Sequence, residues 1–258
     1  MIRGKEHLVV LGCSFSTSQD QNLVESGYTF GDIIANKYNM KFHELGISAG
    51  TNQYVEKRFF SWFGENKDKM DSTFVVVAWS EPNRLLFWNN KKLEWLVSAF
   101  QINLDNGGEH FKDDKIIHEW TYEERKRYVQ NFCLNTYAVT NTYIEQIISL
   151  QSFLKLNNIP YIMFNSLWGI KQESALYFNR DETIQPEGLE PNRNRKMWEN
   201  LVDETYFYDK IFKDLTEPRE NIPPNKDLWM SESDSHPNKK GHKIWSDMLI
   251  KFIEEVHV

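Results

Sequence analysis

Cysteine is scarce in this chain of 258 residues, which contains only Cys13 and Cys133. Both stand in apolar surroundings. Neither belongs to a Cys-x-x-Cys pair or has histidines at zinc-finger spacing. The sequence therefore predicts two buried free thiols and no metal site.

Basic residues are outnumbered, with 30 Lys and Arg against 37 Asp and Glu and a net charge of −7. Binding of nucleic acid needs clustered positive charge, so nucleic acid is not expected as a partner. The glycine-containing segment Gly12-Cys13-Ser14-Phe15-Ser16 lacks the second and third glycines of a dinucleotide-binding fingerprint. No cofactor is expected.

Long apolar runs are also missing. No stretch approaches the roughly 20 residues that span a bilayer, and the first seven residues are polar and precede only a short apolar run. We therefore expect a soluble protein that is cytoplasmic or virion-associated and does not contact a membrane.

The chain does contain an alternation of short apolar, β-branched segments and amphipathic helical patterns. Such alternation is typical of a doubly wound α/β sheet with helices on both faces. The predicted strands are residues 7–15, 41–47, 72–79 and 159–165, and the predicted helices are residues 27–38, 51–66, 122–157 and 239–256.

We expect one domain over residues 1–258, with insertions at about 85–120 and 175–225. The first insertion is rich in aromatic residues and includes a turn signal at residues 104–109 that suits a β-hairpin. The second is polar and has its main apolar cluster at residues 206–212. We expect it to be a long excursion with one short helix.

Polar residues follow each of the first three predicted strands. Ligands of open α/β sheets bind where loops leave the carboxyl ends of the strands. The three loops are Gly12-Cys13-Ser14-Phe15-Ser16, Gly46-Ile47-Ser48-Ala49-Gly50-Thr51-Asn52 and Trp79-Ser80-Glu81-Pro82-Asn83-Arg84. Asp234-Ser235-His236-Pro237 stands just before the last predicted helix. A serine, a histidine and a carboxylate are the side chains of an activated serine nucleophile.

In this order the motifs resemble those of the SGNH (GDSL-type) hydrolases. The resemblance implies a three-layer α/β/α flavodoxin-like fold with a mostly parallel sheet. It also implies a triad of Ser14 as nucleophile, His236 as base and Asp234 as the carboxylate that orients it. The implied oxyanion-hole donors are the Ser14 N–H, the turn at Ala49 and Gly50, and the side chain of Asn83.

Three departures from the family pattern stand out. Cys13 replaces the aspartate of the first motif, and the third motif has no glycine before Asn83. Asp234 precedes His236 by two positions where the family has three, so Glu232 is an alternative carboxylate.

The resemblance implies a serine esterase that hydrolyses a small acyl ester. An O-acetyl group on a carbohydrate is a candidate substrate, and an acyltransferase would use the same site. The alternative is a non-catalytic binding or structural protein, for example in a virion, that retains the fold. The oligomeric state stays open.

Overall fold

A computed structural model of the protein describes residues 2, 4–17, 28–48, 50–82, 84–89, 94–98, 136–167, 200–216 and 223–257. In these residues a five-stranded parallel sheet lies between two layers of helices. This confirms the three-layer α/β/α fold class. No helix in the described ranges combines the length and apolarity that crossing a membrane requires.

The sheet has the flavodoxin-like order β2-β1-β3-β6-β7. All neighbouring pairs in it run parallel. Its strands are β1 (His7–Leu11), β2 (Lys41–Glu44), β3 (Thr73–Trp79), β6 (Tyr161–Asn165) and β7 (Phe207–Ile211). Because β1, β3 and β6 are covered on both faces, they are apolar along nearly their whole length.

One face of the sheet is covered by α1 (Phe30–Tyr38) and α5 (Lys239–Val256), and the other by α2 (Asn52–Glu65) and α3 (Thr136–Leu156). Side chains of β1 alternate between these layers, with Leu8 and Val10 on the first face and Val9 and Leu11 on the second. A short helix α4 (Lys213–Thr216) follows β7.

Among the described residues, two antiparallel hairpins stand outside the sheet. One joins β4 (Leu85–Asn89) to β5 (Glu94–Ser98), and the other joins β8 (Trp229–Ser231) to β9 (Asp234–Pro237). The first hairpin falls within the expected insertion at 85–120. The turn signal at 104–109 lies outside the described residues, and the division into one domain with two insertions stays a prediction.

The first predicted strand is longer than the observed one. It extends to residue 15, but β1 ends at Leu11 and Ser14–Ser16 form a 3-10 turn, in which the Ser16 N–H donates to the Cys13 carbonyl (2.8 Å). Cys13 and Phe15 are buried in this turn, so their apolarity reflects burial and not a continuing strand. The second strand likewise ends at Glu44 instead of residue 47.

The strand β7 was not predicted, because residues 175–225 were expected to be a long excursion with one short helix and no strand of the sheet. Phe207–Ile211 instead pair with β6 at the edge of the sheet, and the short helix α4 comes directly after. A five-residue segment in which only Phe207, Tyr208 and Ile211 are apolar fits either a strand or a helical turn, so periodicity alone does not separate the two.

Candidate active site

Ser14 lies at the carboxyl end of β1, in the first position of the 3-10 turn. Its residue surface is only 6% exposed. The turn directs the chain away from the sheet immediately after the strand, so the Ser14 side chain stays at the sheet edge instead of in the core. The Thr17 hydroxyl donates to the Ser14 carbonyl (3.5 Å) and adds a contact within the turn.

Gly12 is the residue that allows this turn to form close to β3. A Cβ atom placed on Gly12 would lie 2.2 Å from the Ser16 hydroxyl oxygen and 2.9 Å from the Ala78 carbonyl oxygen. Both distances are well inside van der Waals contact. The glycine before Cys13 and Ser14 is thus required by the packing of the turn against the neighbouring strand.

His236 approaches Ser14 from the hairpin of β8 and β9. Its Nε2 atom lies 2.8 Å from Ser14 Oγ, across 222 positions of sequence. Phe15 packs against the imidazole with ring centroids 5.0 Å apart. The serine and the histidine predicted from the two ends of the chain are therefore within hydrogen-bond distance of each other.

Asp234 contacts the opposite side of the same imidazole. Its Oδ1 atom lies 2.5 Å from His236 Nδ1 and also accepts the His236 main-chain N–H at 3.0 Å. Partial burial tends to raise the pKa of Asp234, but these hydrogen bonds to His236 outweigh it and hold the pKa below its usual value. Asp234 is therefore ionised at neutral pH.

The alternative carboxylate, Glu232, is exposed in the turn between β8 and β9. Asp234 is the acid that reaches the imidazole, despite its spacing of two residues. The three side chains form a chain of contacts from Ser14 Oγ through the imidazole to Asp234 Oδ1.

Asn238 holds the hairpin against the start of α5. Its side-chain oxygen accepts the Gly241 N–H (3.1 Å) as the cap of the helix, while its amide nitrogen donates to the carbonyls of Asp227 and Trp229 (2.9 Å each). An Asn three residues before Gly at a helix start is a capping signal. No sequence signal predicts the hydrogen bonds from Asn238 to Asp227 and Trp229. These two bonds fix the hairpin of β8 and β9 relative to α5.

A second histidine, His242, is buried behind the site at 1% exposure. Its Nδ1 accepts the Phe30 N–H at the start of α1 (3.3 Å), which ties the first helix to the last. Burial, with a smaller effect of His236, lowers the pKa of His242 to about 3. His242 is therefore a neutral residue at neutral pH, and its contact with α1 is structural.

The predicted oxyanion-hole residues are only partly described. Ala49 and Asn83 lie outside the described residues. Gly50 lies beside the first loop, since a Cβ atom on it would come within 3.0 Å of the Gly12 carbonyl oxygen. Its N–H donates to the Ile47 carbonyl (3.0 Å). The role of these residues in binding an oxyanion stays a prediction.

Asn52 has a structural role that no motif predicts. At the first position of α2, its amide accepts the Ser80 N–H (2.7 Å) and donates to the Ser80 carbonyl (3.2 Å). Asn52 is 3% exposed, so both bonds are shielded from water. This reciprocal pair fixes the loop after β2 to the loop after β3.

Acidic, histidine and cysteine side chains in the described ranges form no group of three or more suited to a metal ion. Cys13 is a buried free thiol, as predicted, and Cys133 lies outside the described residues. Ser14, His236 and Asp234 bring a hydroxyl, an imidazole and a carboxylate together at the site.

The sequence matches no family model and no curated protein. Solved structures do match over nearly the whole chain. A variant of Axe2, an acetyl-xylooligosaccharide esterase from Geobacillus stearothermophilus, is 11% identical with a TM-score of 0.50, and the match covers 98% of this chain and 95% of that one.

Two further matches have lower TM-scores. The psychrotrophic esterase EstA from Pseudoalteromonas sp. is 12% identical with a TM-score of 0.49, over 97% of this chain and 98% of that one. A G-D-S-L family protein from Desulfitobacterium hafniense is 11% identical with a TM-score of 0.49, over 96% and 99%.

At 11% identity the match with the Axe2 variant speaks for the fold alone, and that fold agrees with the resemblance that the ordered motifs indicate. The chain is similar in structure to hydrolases of the SGNH (GDSL) family and has their three-layer α/β/α fold.

Proposed function

We propose that this protein is a serine esterase that uses Ser14, His236 and Asp234 as a catalytic triad. The observation that carries the proposal is the unbroken contact chain, with 2.8 Å between Ser14 Oγ and His236 Nε2 and 2.5 Å between His236 Nδ1 and Asp234 Oδ1. A serine hydroxyl becomes a competent nucleophile when a histidine takes its proton and a carboxylate orients that histidine.

The reaction proceeds in two halves. In the first, Ser14 Oγ bonds to the ester carbonyl carbon while its proton moves to His236 Nε2. The bond to the alcohol oxygen then breaks, and His236 returns the proton to that oxygen. In the second, water attacks the acyl-serine and gives a proton to His236. The carboxylic acid leaves, and the proton returns to Ser14.

Asp234 stabilises the imidazolium that forms in each half. Because its pKa is held below the usual value, it carries a negative charge throughout the neutral pH range. Its double contact with His236, through the main chain and the ring, also fixes the orientation of the imidazole.

The oxyanion donors in this proposal are the main-chain N–H of Ser14, the turn at Ala49 and Gly50, and the Asn83 amide. The N–H of Gly50 would exchange its present bond to Ile47 for one to the oxyanion. Loss of one such donor typically lowers the rate by about 10²- to 10³-fold.

The proposed substrate is a small acyl ester, with an O-acetyl group on a carbohydrate as the first choice. This choice is supported by the fold shared with an acetyl-xylooligosaccharide esterase. A carbohydrate hydroxyl in place of water at the second half-reaction would give acyl transfer from the same acyl-serine. The alternative, a non-catalytic binding or structural protein, explains the contact chain less well, because such a protein does not need an oriented histidine beside a serine.

The test is labelling of the purified protein with a fluorophosphonate, followed by peptide mass mapping. We expect one label, on Ser14, and its loss in Ser14→Ala. The label should form at least about 10²-fold more slowly in His236→Ala, because the proton acceptor is gone.

Ser233→Ala is the matched control, since this serine is exposed in the turn of the hairpin that carries His236. It should label at the wild-type rate. A folded wild-type protein that takes no label and hydrolyses no p-nitrophenyl acetate would exclude the esterase and favour the binding protein.

A further inference from the structure

Phe15 comes directly after Ser14, and its ring packs against the imidazole of His236. The two ring centroids lie 5.0 Å apart, and the ring planes are tilted by 45°. Phe15 is 5% exposed, so most of its surface is shielded from water. The proton transfers of the triad do not use this ring, although it contacts the base.

The imidazole needs a constraint that Asp234 does not supply. Asp234 and His236 belong to the same strand, β9, so the contact between Asp234 Oδ1 and His236 Nδ1 orients the ring relative to that strand. It does not set the distance from the ring to Ser14, which lies 222 positions away. The Asp234 side chain is also 42% exposed, so water competes for the carboxylate. A contact from the side of Ser14 is therefore required to hold the ring beside the nucleophile.

The turn that contains Ser14 and Phe15 provides this contact. The two residues are consecutive in the 3-10 turn, and both contact His236, Ser14 at Nε2 (2.8 Å) and Phe15 at the ring. The turn is fixed to the loop after β2, because the Ile47 N–H donates to the Gly12 carbonyl (3.2 Å). One segment of backbone therefore places both the nucleophile and the ring against which the base packs.

Aromatic residues of the core hold Phe15 from behind. Its ring meets that of Phe212 edge to face, with centroids 5.8 Å apart, and Phe212 stacks on Trp245 of α5 at 4.8 Å. Phe212 and Trp245 are 0% and 1% exposed. Phe15 thus lies between the buried core and the imidazole, and it cannot move away from His236 without disturbing the core.

We propose that Phe15 is a positioning residue whose ring holds the His236 imidazole at hydrogen-bond distance from Ser14 Oγ. The proposal rests on the esterase function proposed for the same site. Both half-reactions pass a proton through His236 Nε2, so an imidazole that rotates freely slows both by the same factor. The loss therefore falls on kcat and leaves KM unchanged.

The test is Phe15→Leu, which keeps an apolar side chain but removes the flat ring. A contact between two rings contributes about 3- to 10-fold to an equilibrium. We expect kcat for p-nitrophenyl acetate to fall by about 3- to 10-fold, with KM within about twofold of wild type. The rate of fluorophosphonate labelling of Ser14 should fall by the same factor.

A second measurement gives the orientation of the imidazole itself. The χ1 rotamer populations of His236 are obtained from three-bond NMR couplings, and we expect one rotamer in wild type and a mixture in Phe15→Leu. This measurement does not depend on catalysis, so it separates the positioning of the ring from the esterase function. If Phe15→Leu does not fold, Phe15→Met serves for both measurements, because methionine is apolar and adapts to irregular gaps.

Phe164→Leu is the matched control. Phe164 lies on β6 at 0% exposure in the same aromatic cluster, and its ring packs on Phe30 and Trp245 instead of on the imidazole. It should lower the unfolding free energy, because buried packing is lost as in Phe15→Leu. Its kcat should stay within about twofold of wild type, and His236 should keep one rotamer.

A folded Phe15→Leu protein with wild-type kcat and one His236 rotamer would overturn the proposal. An equal loss of kcat in Phe164→Leu would also overturn it, since the effect would then be a general one of the core. A loss that appears in KM instead of kcat would make Phe15 a substrate contact. If wild type neither takes the label nor hydrolyses the ester while Phe15→Leu still frees the imidazole, the positioning role stands and the esterase falls.

Discussion

Replacement of Asp234 by asparagine tests whether a carboxylate two residues before the histidine serves as the third member of the triad. The amide can still accept the His236 main-chain N–H through Oδ1, so the hairpin should keep its shape. What is lost is the negative charge beside His236 Nδ1. The change therefore separates charge from geometry.

The size of the effect follows from the exposure of the carboxylate. In a triad with a buried aspartate, the same change lowers kcat by about 10⁴-fold. The Asp234 side chain is 42% exposed, so water already screens part of its interaction with the imidazolium. We expect kcat for p-nitrophenyl acetate to fall about 10²- to 10³-fold in Asp234→Asn, with little change in KM.

Glu232→Gln is the matched control, because it removes the same charge from the same hairpin at an exposed position. Its kcat should stay within about twofold of wild type. Initial rates at pH 7.5 are sufficient for the assay, and urea unfolding of each variant checks the fold. A folded Asp234→Asn protein with wild-type kcat would refute the triad, and a large loss in Glu232→Gln instead would transfer the role to that residue.

Two further outcomes follow from buried groups near the site. Burial lowers the pKa of His242 to about 3 in the folded protein, against 6.5 in the unfolded chain. Between these two values only the unfolded chain binds a proton on His242. The contribution of neutral His242 to the unfolding free energy is therefore complete above pH 6.5 and is lost as the pH falls towards 3. When the pH is lowered from 7 to 5, the unfolding free energy of His242→Asn should therefore fall by about 2 kcal/mol less than that of wild type, as measured by urea denaturation. Equal decreases in the two proteins would contradict a lowered pKa of His242. In Gly12→Ala, the added Cβ atom would clash with the Ser16 hydroxyl and the Ala78 carbonyl. The unfolding free energy should therefore fall by about 1–3 kcal/mol, and the rate of fluorophosphonate labelling of Ser14 by more than about tenfold. Wild-type values for both quantities would show that the turn can relax.

The elements that could be predicted from the sequence are those with a strong local pattern. β3 is apolar along nearly its whole length because it is covered on both faces, and α5 has a regular apolar stripe, so both were predicted within one residue. Ser14 and His236 stand at the ends of recognisable segments, which is why they could be proposed as partners before any distance was known.

The features that could not be predicted depend on contacts between distant segments. β7 became a strand only because β6 offers it an edge, and Asn52 binds Ser80 across 28 positions. These are tertiary effects that override or add to local propensity.

The spacing of Asp234 and His236, which departs from the family pattern, follows from the secondary structure that contains them. Both residues belong to β9, and side chains two apart in a strand point to the same side. β8 holds this strand through the pairs Trp229 with Pro237 and Ser231 with Asp234. A carboxylate three positions before the histidine in an extended strand would point to the opposite side. The shorter spacing is therefore what this strand requires to bring the carboxylate to the imidazole.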